Sequence, residues 1–529
     1  MTARRPIRAR PPLKPVPVGQ FVADKDVGAV TEPDEINLSA QKRRVMTFQR
    51  HLEGISLNPY INGKRRAVSG DTHSTCDPAT GEVLLEIPVS DAAIVDEAVE
   101  ASRAALKGAW ADVTPAERSR MLFRIARAIR VDAQRLASIE CIDSGKPLRE
   151  AISDIETSAR YFEYYAGIAD KLQGDTIPLG KDFVSFTLHE PVGATAHIIP
   201  WNFPLVTTAR GLAPALAAGA TAVIKPAEQT PLTALMLPDY LEKAGIPAGV
   251  VNVVCGPGRT TGAPLTQHPG IAHITFTGSV ATGKAVMQAA AFHVASTTME
   301  LGGKSPVVVL ADADRESALE GVLAAIFTNA GQICSAGSRL IVERNIAESF
   351  LASLVERVRA FTFGHGLDNP HIGPVVSKQQ LLKIEGIVTE SVAAGAELLT
   401  GGKIKNPDGL KGWFFEPTVL VAGDPSTKCV QEEIFGPVLT VQIAEDFDHA
   451  CELAEGTEFG LVAGIYTRDV TKALRFSRRV SSGQVFINQY FAGGVETPFG
   501  GTKNSGFGRE KGLEGLKAYY SVKTVTARI

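Results

Sequence analysis

Apolar residues recur at helical spacing between residues 114 and 145. The stretch opens with TPAE (114–117), which combines an N-cap threonine, a proline at the first helical position and a glutamate three residues after the cap. Leu122, Ile125 and Ile129 then follow on one face, and Ser144-Gly145 is typical of a helix end. The pattern predicts a long helix between these two signals.

From residue 193 onwards, short apolar runs alternate with segments of helical spacing. Strands separated by helices at this rhythm form right-handed crossovers, so the pattern predicts an α/β fold with a parallel sheet. The predicted strands are Thr195–Ile199, Thr221–Ile224, Val250–Val254 and His273–Phe276. Thr230-Pro231 is interpreted as the cap of an intervening helix. A second α/β rhythm runs from Pro306–Leu310, through a helix around Leu319–Phe327, to about residue 488 and predicts a further domain.

Composition places the chain among enzymes that act on small molecules. Its 529 residues are too many for a single core, and 44% of them are hydrophobic. The net charge of −3 provides no footprint for nucleic acid or an anionic membrane. The six cysteines include no CxxC pair, which argues against disulfides and structural zinc. The absence of a signal segment and of a long apolar run favours a cytoplasmic protein.

The amino-terminal residues differ from the rest of the chain. Arginines and a lysine alternate with prolines over the first 20 residues, and no acidic residue occurs before Asp24. We expect residues 1–40 to form a disordered basic arm. A transit peptide is the alternative, but its amphipathic helix would be blocked by these prolines.

Polar residues follow the predicted strands at the edge where an open α/β sheet binds ligands. Asn202 lies between two prolines and could direct its amide toward an oxyanion, although turn asparagines are common. Lys225 and Glu228 could bind ribose hydroxyls or could form a surface ion pair. Gly278 and Ser279 open a helix whose N-terminus suits a pyrophosphate, although many strand-to-helix turns use glycine.

Cys334 stands among small residues in NAGQICSAG (329–337), with Glu300 upstream. A thiolate could attack a substrate carbon there, because the neighbouring glycines leave room for close approach. A carboxylate could then activate the water that releases the acyl group. Taken alone, Cys334 could equally be a buried small hydrophobic residue.

A set of motifs occurs in a fixed order along the chain. The set resembles the hydrolytic, non-acylating branch of the NAD(P)-dependent aldehyde dehydrogenase superfamily from about residue 58 to the end. The motifs are PWNFP (200–204), KPAE (225–228), FTGS (276–279), MELGGKSP (299–306), GQICSAGS (331–338), EEIFGPV (432–438) and PFGGTKNSGFGRE (498–510).

The resemblance implies a role for each matched residue. Cys334 would be the nucleophile, Asn202 with the backbone N–H of Cys334 would hold the oxyanion, and Glu300 would activate water. The cofactor residues would be Ile199, Trp201, Lys225, Glu228, Gly278, Ser279, Glu433 and Phe435. The substrate tunnel would be lined by Phe203, Arg210 and Phe499. No metal is implied. A carboxylate at residue 228 favours NAD over NADP, since it would repel a 2′-phosphate.

The resemblance also implies an architecture of two Rossmann-like open parallel-sheet domains with a small β oligomerisation element. Residues 41–170 and 192–302 would bind the dinucleotide, and residues 303–490 would carry the nucleophile. Residues 171–191 and 491–529 would bridge subunits in a homodimer or homotetramer. The substrate would be an aldehyde, with a carboxylated semialdehyde and an aromatic aldehyde as candidates.

The chain departs from the family pattern beside the PWNFP motif. Relatives often have a lysine where this chain has Gly211, so a proton relay through that side chain is in doubt. Arg210 matches an arginine of relatives that oxidise carboxylated semialdehydes, but their second arginine is Thr328 here. A structural role or a distal-ligand role for Arg210 is therefore favoured over binding of a substrate carboxylate.

Other classes of enzyme remain alternatives. A Cys–His hydrolase would need a histidine base, and neither His197 nor His293 stands in a known signature. A relative that transfers the acyl group to coenzyme A usually lacks the water-activating glutamate, so Glu300 argues against it. A catalytically silent protein on the same fold would not need Cys334, Glu300 and Asn202 together.

Overall fold

The computed structural model describes residue 48, residues 50–407 and residues 409–529. The arm predicted for residues 1–40 lies outside this described part. No helix within it combines the length and apolar character needed to cross a bilayer. The α-helices from residue 90 onwards are α1 (Ala92–Ala105), α2 (Pro115–Val131), α3 (Ala133–Ser144), α4 (Leu148–Ala166), α5 (Pro204–Ala218), α6 (Leu232–Ala244), α7 (Ala263–Gln267), α8 (Val280–Ala291), α9 (Arg315–Phe327), α10 (Arg344–Arg359), α11 (Lys378–Ala393), α12 (Lys428–Gln431), α13 (Phe447–Glu455) and α14 (Val470–Arg479).

The strands fall into two large sheets, a small antiparallel sheet and two pairs. In chain order they are β1 (Tyr60–Ile61), β2 (Lys64–Arg65), β3 (Thr72–Cys76), β4 (Val83–Pro88), β5 (Thr176–Ile177), β6 (Phe183–Pro191), β7 (Ala194–Ile198), β8 (Thr221–Lys225), β9 (Val251–Val253), β10 (His273–Thr277), β11 (Ser296–Glu300), β12 (Pro306–Val309), β13 (Arg339–Glu343), β14 (Glu397–Thr400), β15 (Thr418–Val421), β16 (Val438–Ala444), β17 (Phe459–Gly460), β18 (Val462–Tyr466), β19 (Gln484–Ile487), β20 (Thr502–Lys503), β21 (Gly506–Phe507) and β22 (Tyr520–Arg528).

The first large sheet has the order β2-β1-β9-β8-β7-β10-β11-β21, and its strands from β9 to β11 are parallel. Strands β7 to β10 are buried over almost their whole length and are bounded by turn residues, which is why the sequence pattern locates them to within one residue. Strands β8 and β9 lie on one side of β7, and β10 and β11 lie on its other side, so the strand order reverses between β7 and β10. In open α/β sheets such a switch point is where ligands bind.

The second large sheet has the order β14-β15-β16-β13-β12-β18-β19. All its neighbours except the β14–β15 pair are parallel. The α/β fold with two parallel-containing sheets is therefore confirmed. Strand β21 comes from the carboxyl-terminal segment but pairs antiparallel with β11 of the first sheet. This pairing brings residues 506–511 beside Glu300, at the end of β11.

A three-stranded antiparallel sheet, β22-β6-β5, is formed by segments that are distant in sequence. Strand β22 pairs with β6 over nine residues, from Tyr520 opposite Pro191 to Arg528 opposite Phe183. Large apolar side chains remain exposed on both strands, among them Val184, Leu188 and Val522.

Two local predictions are wrong. The helix predicted from residue 115 to 144 is broken at Asp132, which leaves helical geometry and accepts a 2.6 Å hydrogen bond from the Tyr240 hydroxyl. Thr230 does not cap α6, because its hydroxyl donates to the Trp201 carbonyl at 3.0 Å. The first turn of α6 is instead bound by Asp143, whose Oδ2 accepts from the Leu232 N–H at 3.1 Å. The capping box at Thr114 is confirmed.

Candidate active site

The carboxyl ends of the central strands of the first sheet open into one cleft of about 380 Å3. Asn202 follows β7, Lys225 ends β8, Ser279 follows β10 and Glu300 ends β11. Cys334, from the chain between β12 and β13, lies on the opposite wall. The parallel sheet therefore brings residues more than 130 positions apart into a single site.

The loop that leads to Cys334, the predicted nucleophile, has an unusual backbone. Asn329, Ala330 and Gly331 are left-handed in succession, with φ of 50°, 53° and 72°. A Cβ built on Gly331 would lie 2.0 Å from the carbonyl oxygen of Gly436, so no other residue fits there. For Asn329 and Ala330 this geometry costs free energy, about 1–3 kcal/mol each, and surrounding contacts must hold it.

Side chains on both sides hold the strained loop. Glu150 Oε2 accepts from the Asn329 N–H at 2.9 Å. The Gln332 side chain donates through Nε2 to the Asn329 carbonyl at 3.1 Å and accepts through Oε1 from the Val376 N–H at 2.8 Å. These bonds fix the turn two residues before Cys334, which is what precise placement of a nucleophile requires.

Asn202 is buried, and its amide is oriented by the nucleophile loop. Its Nδ2 donates one hydrogen to the Gln332 carbonyl at 2.8 Å, which leaves the second hydrogen for another acceptor in the cleft. Behind it, Lys146 Nζ donates to the Asn202 carbonyl at 2.9 Å and to Asp154 at 2.5 Å, and lies 3.4 Å from Glu140. The buried ammonium of Lys146 thus helps to fix the backbone of Asn202.

Burial disfavours ionisation of the Cys334 thiol. Burial raises its pKa to about 11, the Arg210 guanidinium opposes this shift, and the carboxylates of Glu300 and Glu433 reinforce it. A Cβ on Gly303 would lie 2.5 Å from the Cys334 carbonyl oxygen, so this glycine lets the two loops touch. Among the described residues, none that lines the cleft is a histidine.

Glu300 is buried with both carboxyl oxygens lacking a hydrogen-bond partner in the described part of the chain. Burial and then Glu510 raise its pKa well above the usual value, while Arg210, Arg509 and Lys511 oppose the shift. Burying an unpaired carboxyl group costs folding free energy, so its presence suggests a functional role. Its position in the cleft with Cys334 fits a base that acts on water.

The remaining residues that line the cleft provide a helix N-terminus, ring faces and charged groups. Ser279 caps α8, accepting from the Thr282 N–H at 3.3 Å. The rings of Trp201 and Phe435 meet edge to face at 5.2 Å. Glu433 Oε1 accepts from the Gly303 N–H at 2.8 Å, and burial raises its pKa to about 7. Together these groups suit a large ligand with phosphates and an aromatic ring.

Lys225 and Glu228 line the same cleft and also contact each other. Lys225 Nζ lies 3.7 Å from Glu228 Oε2 and donates to the Pro226 carbonyl at 2.9 Å. Lys225 is buried, whereas the Glu228 side chain is 39% exposed. The ion pair considered from the sequence is therefore present, and Glu228 remains accessible to a ligand.

Arg210 is committed to an ion pair beside Glu300. Its Nε lies 2.5 Å from Oε2 of buried Glu510, and its guanidinium carbon is 5.5 Å from the centre of the Phe499 ring, which belongs to the apolar cluster that contacts Cys334. Phe203 lies on the other side, with Lys146 Nζ 4.5 Å from its ring centre. The tunnel role of these three residues stays a prediction, because none of them lines the described cleft.

A steric contact explains why residue 211 is a glycine. A Cβ there would lie 2.6 Å from Nδ1 of buried His197, so the imidazole occupies the space that a side chain at residue 211 would need. His197 Nε2 is 2.8 Å from the Thr195 hydroxyl, its ring stacks on Tyr519 at 5.9 Å, and burial lowers its pKa to about 3. It is a structural residue, not the base of a hydrolase.

The structure thus brings together in one cleft the predicted catalytic residues Cys334, Glu300 and Asn202 and the predicted cofactor residues Ile199, Trp201, Lys225, Glu228, Gly278, Ser279, Glu433 and Phe435. Sequence reasoning missed Lys146, Glu150 and Gln332, which support the site. It also assigned no role to Glu510, although PFGGTKNSGFGRE ends there. Lys146 had no usable signal, since in the sequence it is a polar residue after the helix end at Ser144-Gly145.

Comparisons with known proteins agree with this geometry. The model of the aldehyde dehydrogenase family matches residues 66–525. Retinal dehydrogenase 2 from Homo sapiens is 43% identical over 476 residues, 89% of this chain and 91% of that protein. An aldehyde dehydrogenase from Enchytraeus buchholzi is 43% identical over 467 residues, 87% of this chain and 93% of that protein.

Solved structures show the same fold. The NAD+ complex of betaine aldehyde dehydrogenase from Staphylococcus aureus superposes with a TM-score of 0.90 at 36% identity, covering 92% of this chain and 97% of that one. The NAD+ complex of an aldehyde dehydrogenase from Bacillus cereus gives 0.88 at 38% identity, covering 93% and 99%. The chain belongs to the aldehyde dehydrogenase family. It is an oxidoreductase that oxidises an aldehyde with a nicotinamide cofactor.

Proposed function

We propose that this enzyme oxidises its aldehyde to the free carboxylic acid through a covalent intermediate on Cys334. The observation that carries the proposal is the pairing of a half-buried thiol and an unpartnered buried carboxyl group, Glu300, in one cleft with the Asn202 amide. The overall reaction consumes aldehyde, water and NAD(P)+ and yields acid, NAD(P)H and a proton.

The first half of the reaction forms the bond to sulfur. The Cys334 sulfur, once deprotonated, adds to the aldehyde carbon, and the carbonyl electron pair moves onto oxygen. The free hydrogen of Asn202 Nδ2 would stabilise that oxyanion. The backbone N–H of Cys334 is the second donor, since it has no acceptor among the described residues. The oxyanion then collapses and expels hydride from the same carbon, which leaves a thioester.

NAD(P)+ supplies the hydride acceptor when it is bound. The residues that would hold it fit its parts. The N-terminus of α8 at Ser279 would face the pyrophosphate, Glu228 would accept from a ribose hydroxyl, and Glu433 would do the same at the other ribose. A Cβ on Gly258 would meet nothing within 4 Å, so the cleft has open space beside these groups.

Glu300 would complete the cycle. Water loses a proton to its carboxylate, the water oxygen bonds to the acyl carbon, and the carbon–sulfur bond breaks with the electron pair on sulfur. In the alternative reaction the acyl group is transferred to coenzyme A, and Glu300 would then have no water to activate. Formation of free acid in the absence of coenzyme A decides between these outcomes.

The charge distribution favours an aromatic aldehyde over a carboxylated semialdehyde. Arg210, the candidate carboxylate receptor, is already paired with Glu510 at 2.5 Å. Phe203 and Phe499 supply aromatic surface instead. We infer that the unexposed guanidinium stabilises the site and does not bind substrate.

The test separates the two halves of the reaction. With benzaldehyde and NAD+, Glu300→Gln should release a first-turnover burst of NADH while steady turnover falls at least about 100-fold, because hydride loss does not need the base and hydrolysis does. Cys334→Ala should show neither phase but should still bind NAD+. Equal loss of burst and steady rate in Glu300→Gln would assign Glu300 a step before the thioester. Faster steady turnover with succinic semialdehyde than with benzaldehyde would overturn the aromatic assignment.

The three-stranded sheet is a candidate interface between subunits. We propose that it joins protomers into a homodimer or homotetramer, since Val184, Leu188 and Val522 expose apolar surface on its paired strands. Six cysteines without a disulfide support our proposal that the enzyme works in a reducing compartment such as the cytoplasm.

A further inference from the structure

The segment after β21 places three consecutive charged residues beside the catalytic pair. Glu510 forms the 2.5 Å ion pair with Arg210. Arg509 Nη1 donates to the carbonyls of Gly501 at 2.9 Å and Gly508 at 2.6 Å. These two side chains therefore already have partners that fix them.

Lys511 differs from its two neighbours. Its side chain is half-buried and has no hydrogen bond or ion pair with any residue of the described part. Its Nζ lies 4.9 Å from the centre of the Phe499 ring, which is in the cluster that contacts Cys334. The backbone of Lys511 is left-handed, with φ of 61°, a geometry that a bulky residue adopts only when the surroundings impose it. The fold directs an uncommitted ammonium toward the site.

The groups that act electrostatically on Lys511 are Arg210, Glu510, Cys334 and Glu300. Burial and then Arg210 lower the pKa of Lys511 to about 8, while the three acidic groups oppose this shift. In the other direction, the positive charge of Lys511 stabilises the ionised forms of Glu300 and Glu510. Among the described residues, Lys511 is thus the only one of the cations acting on Glu300 whose side chain has neither a hydrogen bond nor an ion pair.

The cations and the acidic groups of this cluster are equal in number. The cations are Arg210, Arg509 and Lys511, and the groups that can be anionic are Glu510, Glu300 and the Cys334 thiol. Positive and negative charges balance when all three acidic groups are ionised, so no surplus cation remains for a substrate carboxylate. In the acyl-enzyme the Cys334 sulfur is part of a neutral thioester and cannot be anionic, so the positive charge of Lys511 acts on Glu300 and Glu510 alone.

We propose that Lys511 is a positioning residue for thioester hydrolysis, whose ammonium keeps the buried Glu300 carboxyl group ionised so that it can accept the proton of the attacking water. The inference rests on the proposed role of Glu300. It adds a residue from the carboxyl-terminal segment to the machinery of the second half-reaction.

The test measures hydrolysis of the acyl-enzyme across pH with 4-nitrophenyl acetate, which acylates a thiol without hydride transfer. Lys511→Met keeps the length of the side chain and removes its charge. The acid limb of the hydrolysis rate should move up by about one pH unit, so that the rate near neutral pH falls about tenfold, because the loss of a neighbouring cation raises the pKa of a buried carboxyl group. The burst of 4-nitrophenolate should remain.

Controls separate charge from packing. Lys511→Arg should keep the wild-type profile, and Lys511→Gln should shift as Lys511→Met does. Lys517→Met removes an exposed lysine that pairs with Glu514 at 2.8 Å and should change nothing. An unshifted profile in both neutral variants at residue 511, or equal losses in Lys511→Arg and Lys511→Met, would overturn the proposal. Failure of the underlying function looks different: Glu300→Gln would then hydrolyse the acyl-enzyme at the wild-type rate.

Discussion

Lys146 offers the sharpest test of how the fold supports the Asn202 amide, which we propose binds the oxyanion. Its ammonium is buried in the apolar core and contacts Asp154 at 2.5 Å, Glu140 at 3.4 Å and the Asn202 carbonyl at 2.9 Å. The change Lys146→Met keeps most of the volume beneath the Phe203 ring and removes only the charge and the donors.

The expected loss follows from these contacts. Two buried carboxyl groups, Glu140 and Asp154, would be left without their cation, and breaking a buried ion pair in this way costs about 3–5 kcal/mol. The Asn202 carbonyl would keep only the weaker 3.3 Å bond from Asn329 Nδ2. Because an oxyanion donor contributes about 100- to 1000-fold to kcat, partial misplacement of Asn202 should lower kcat at least about tenfold. The KM for NAD+ should change little.

The effect should depend on pH in a definite direction. Burial raises the pKa values of Glu140 and Asp154 even in the wild type, and Lys146 opposes both shifts. A carboxyl group with a raised folded-state pKa is stabilising when protonated, so stability is lost as pH rises above the unfolded pKa near 4 toward the folded one. Urea unfolding at matched protein concentration should therefore show a smaller deficit for Lys146→Met at pH 5 than at pH 8.

The double variant Lys146→Met/Asp154→Asn supplies the control. Removing one orphaned charge should recover part of the stability at pH 8, so the two changes should be less than additive by about 1–3 kcal/mol. Full additivity, or a deficit of Lys146→Met that does not depend on pH, would refute the idea that a buried charge network holds Asn202. If Lys146→Met were destabilised but kept the wild-type kcat, only the claim that Lys146 positions Asn202 for catalysis would be refuted.

Two further predictions concern steric fit and cofactor choice. Gly211→Ala should lower the unfolding midpoint, since the clash with His197 at 2.6 Å costs about 1–3 kcal/mol and outweighs the gain of about 1 kcal/mol from a helical alanine. Gly386→Ala, whose new Cβ would meet nothing within 4 Å, should raise the unfolding midpoint. A shift of the midpoint in the same direction in both variants would contradict the steric argument. Glu228→Ser should narrow the ratio of kcat/KM for NAD+ over NADP+ by about one to two orders of magnitude, and an unchanged ratio would leave Glu228 a mere partner of Lys225.

The elements that could be predicted from the sequence are those whose signals are local. Strands β7 to β10 are buried over almost their whole length and are bounded by turn residues, and so they were located to within one residue. The capping box at Thr114 depends on residues three apart, and it is present as predicted. The motif residues at the strand ends met in one cleft because parallel strands share an edge.

The failures have a common cause, which is a partner far away in the sequence. Asp132 breaks a helix in favour of Tyr240, and the Thr230 hydroxyl prefers the Trp201 carbonyl to its own helix. Propensity cannot anticipate either choice, because each is decided by tertiary contact. The same holds for Lys146, which in the sequence is an ordinary polar residue after a helix end.

The charge state of the site is a further property that no motif encodes. The sequence predicts Cys334 as nucleophile and Glu300 as base, but burial raises the pKa values of both groups and so disfavours the ionised forms that these roles require. The cations that oppose burial come from α5 and from the chain after β21, which reaches Glu300 only because β21 pairs with β11. Reactivity therefore depends on the antiparallel pairing of a short carboxyl-terminal strand as much as on the catalytic residues. A variant that weakened this pairing should shift the pH profile of hydrolysis even with every catalytic residue intact.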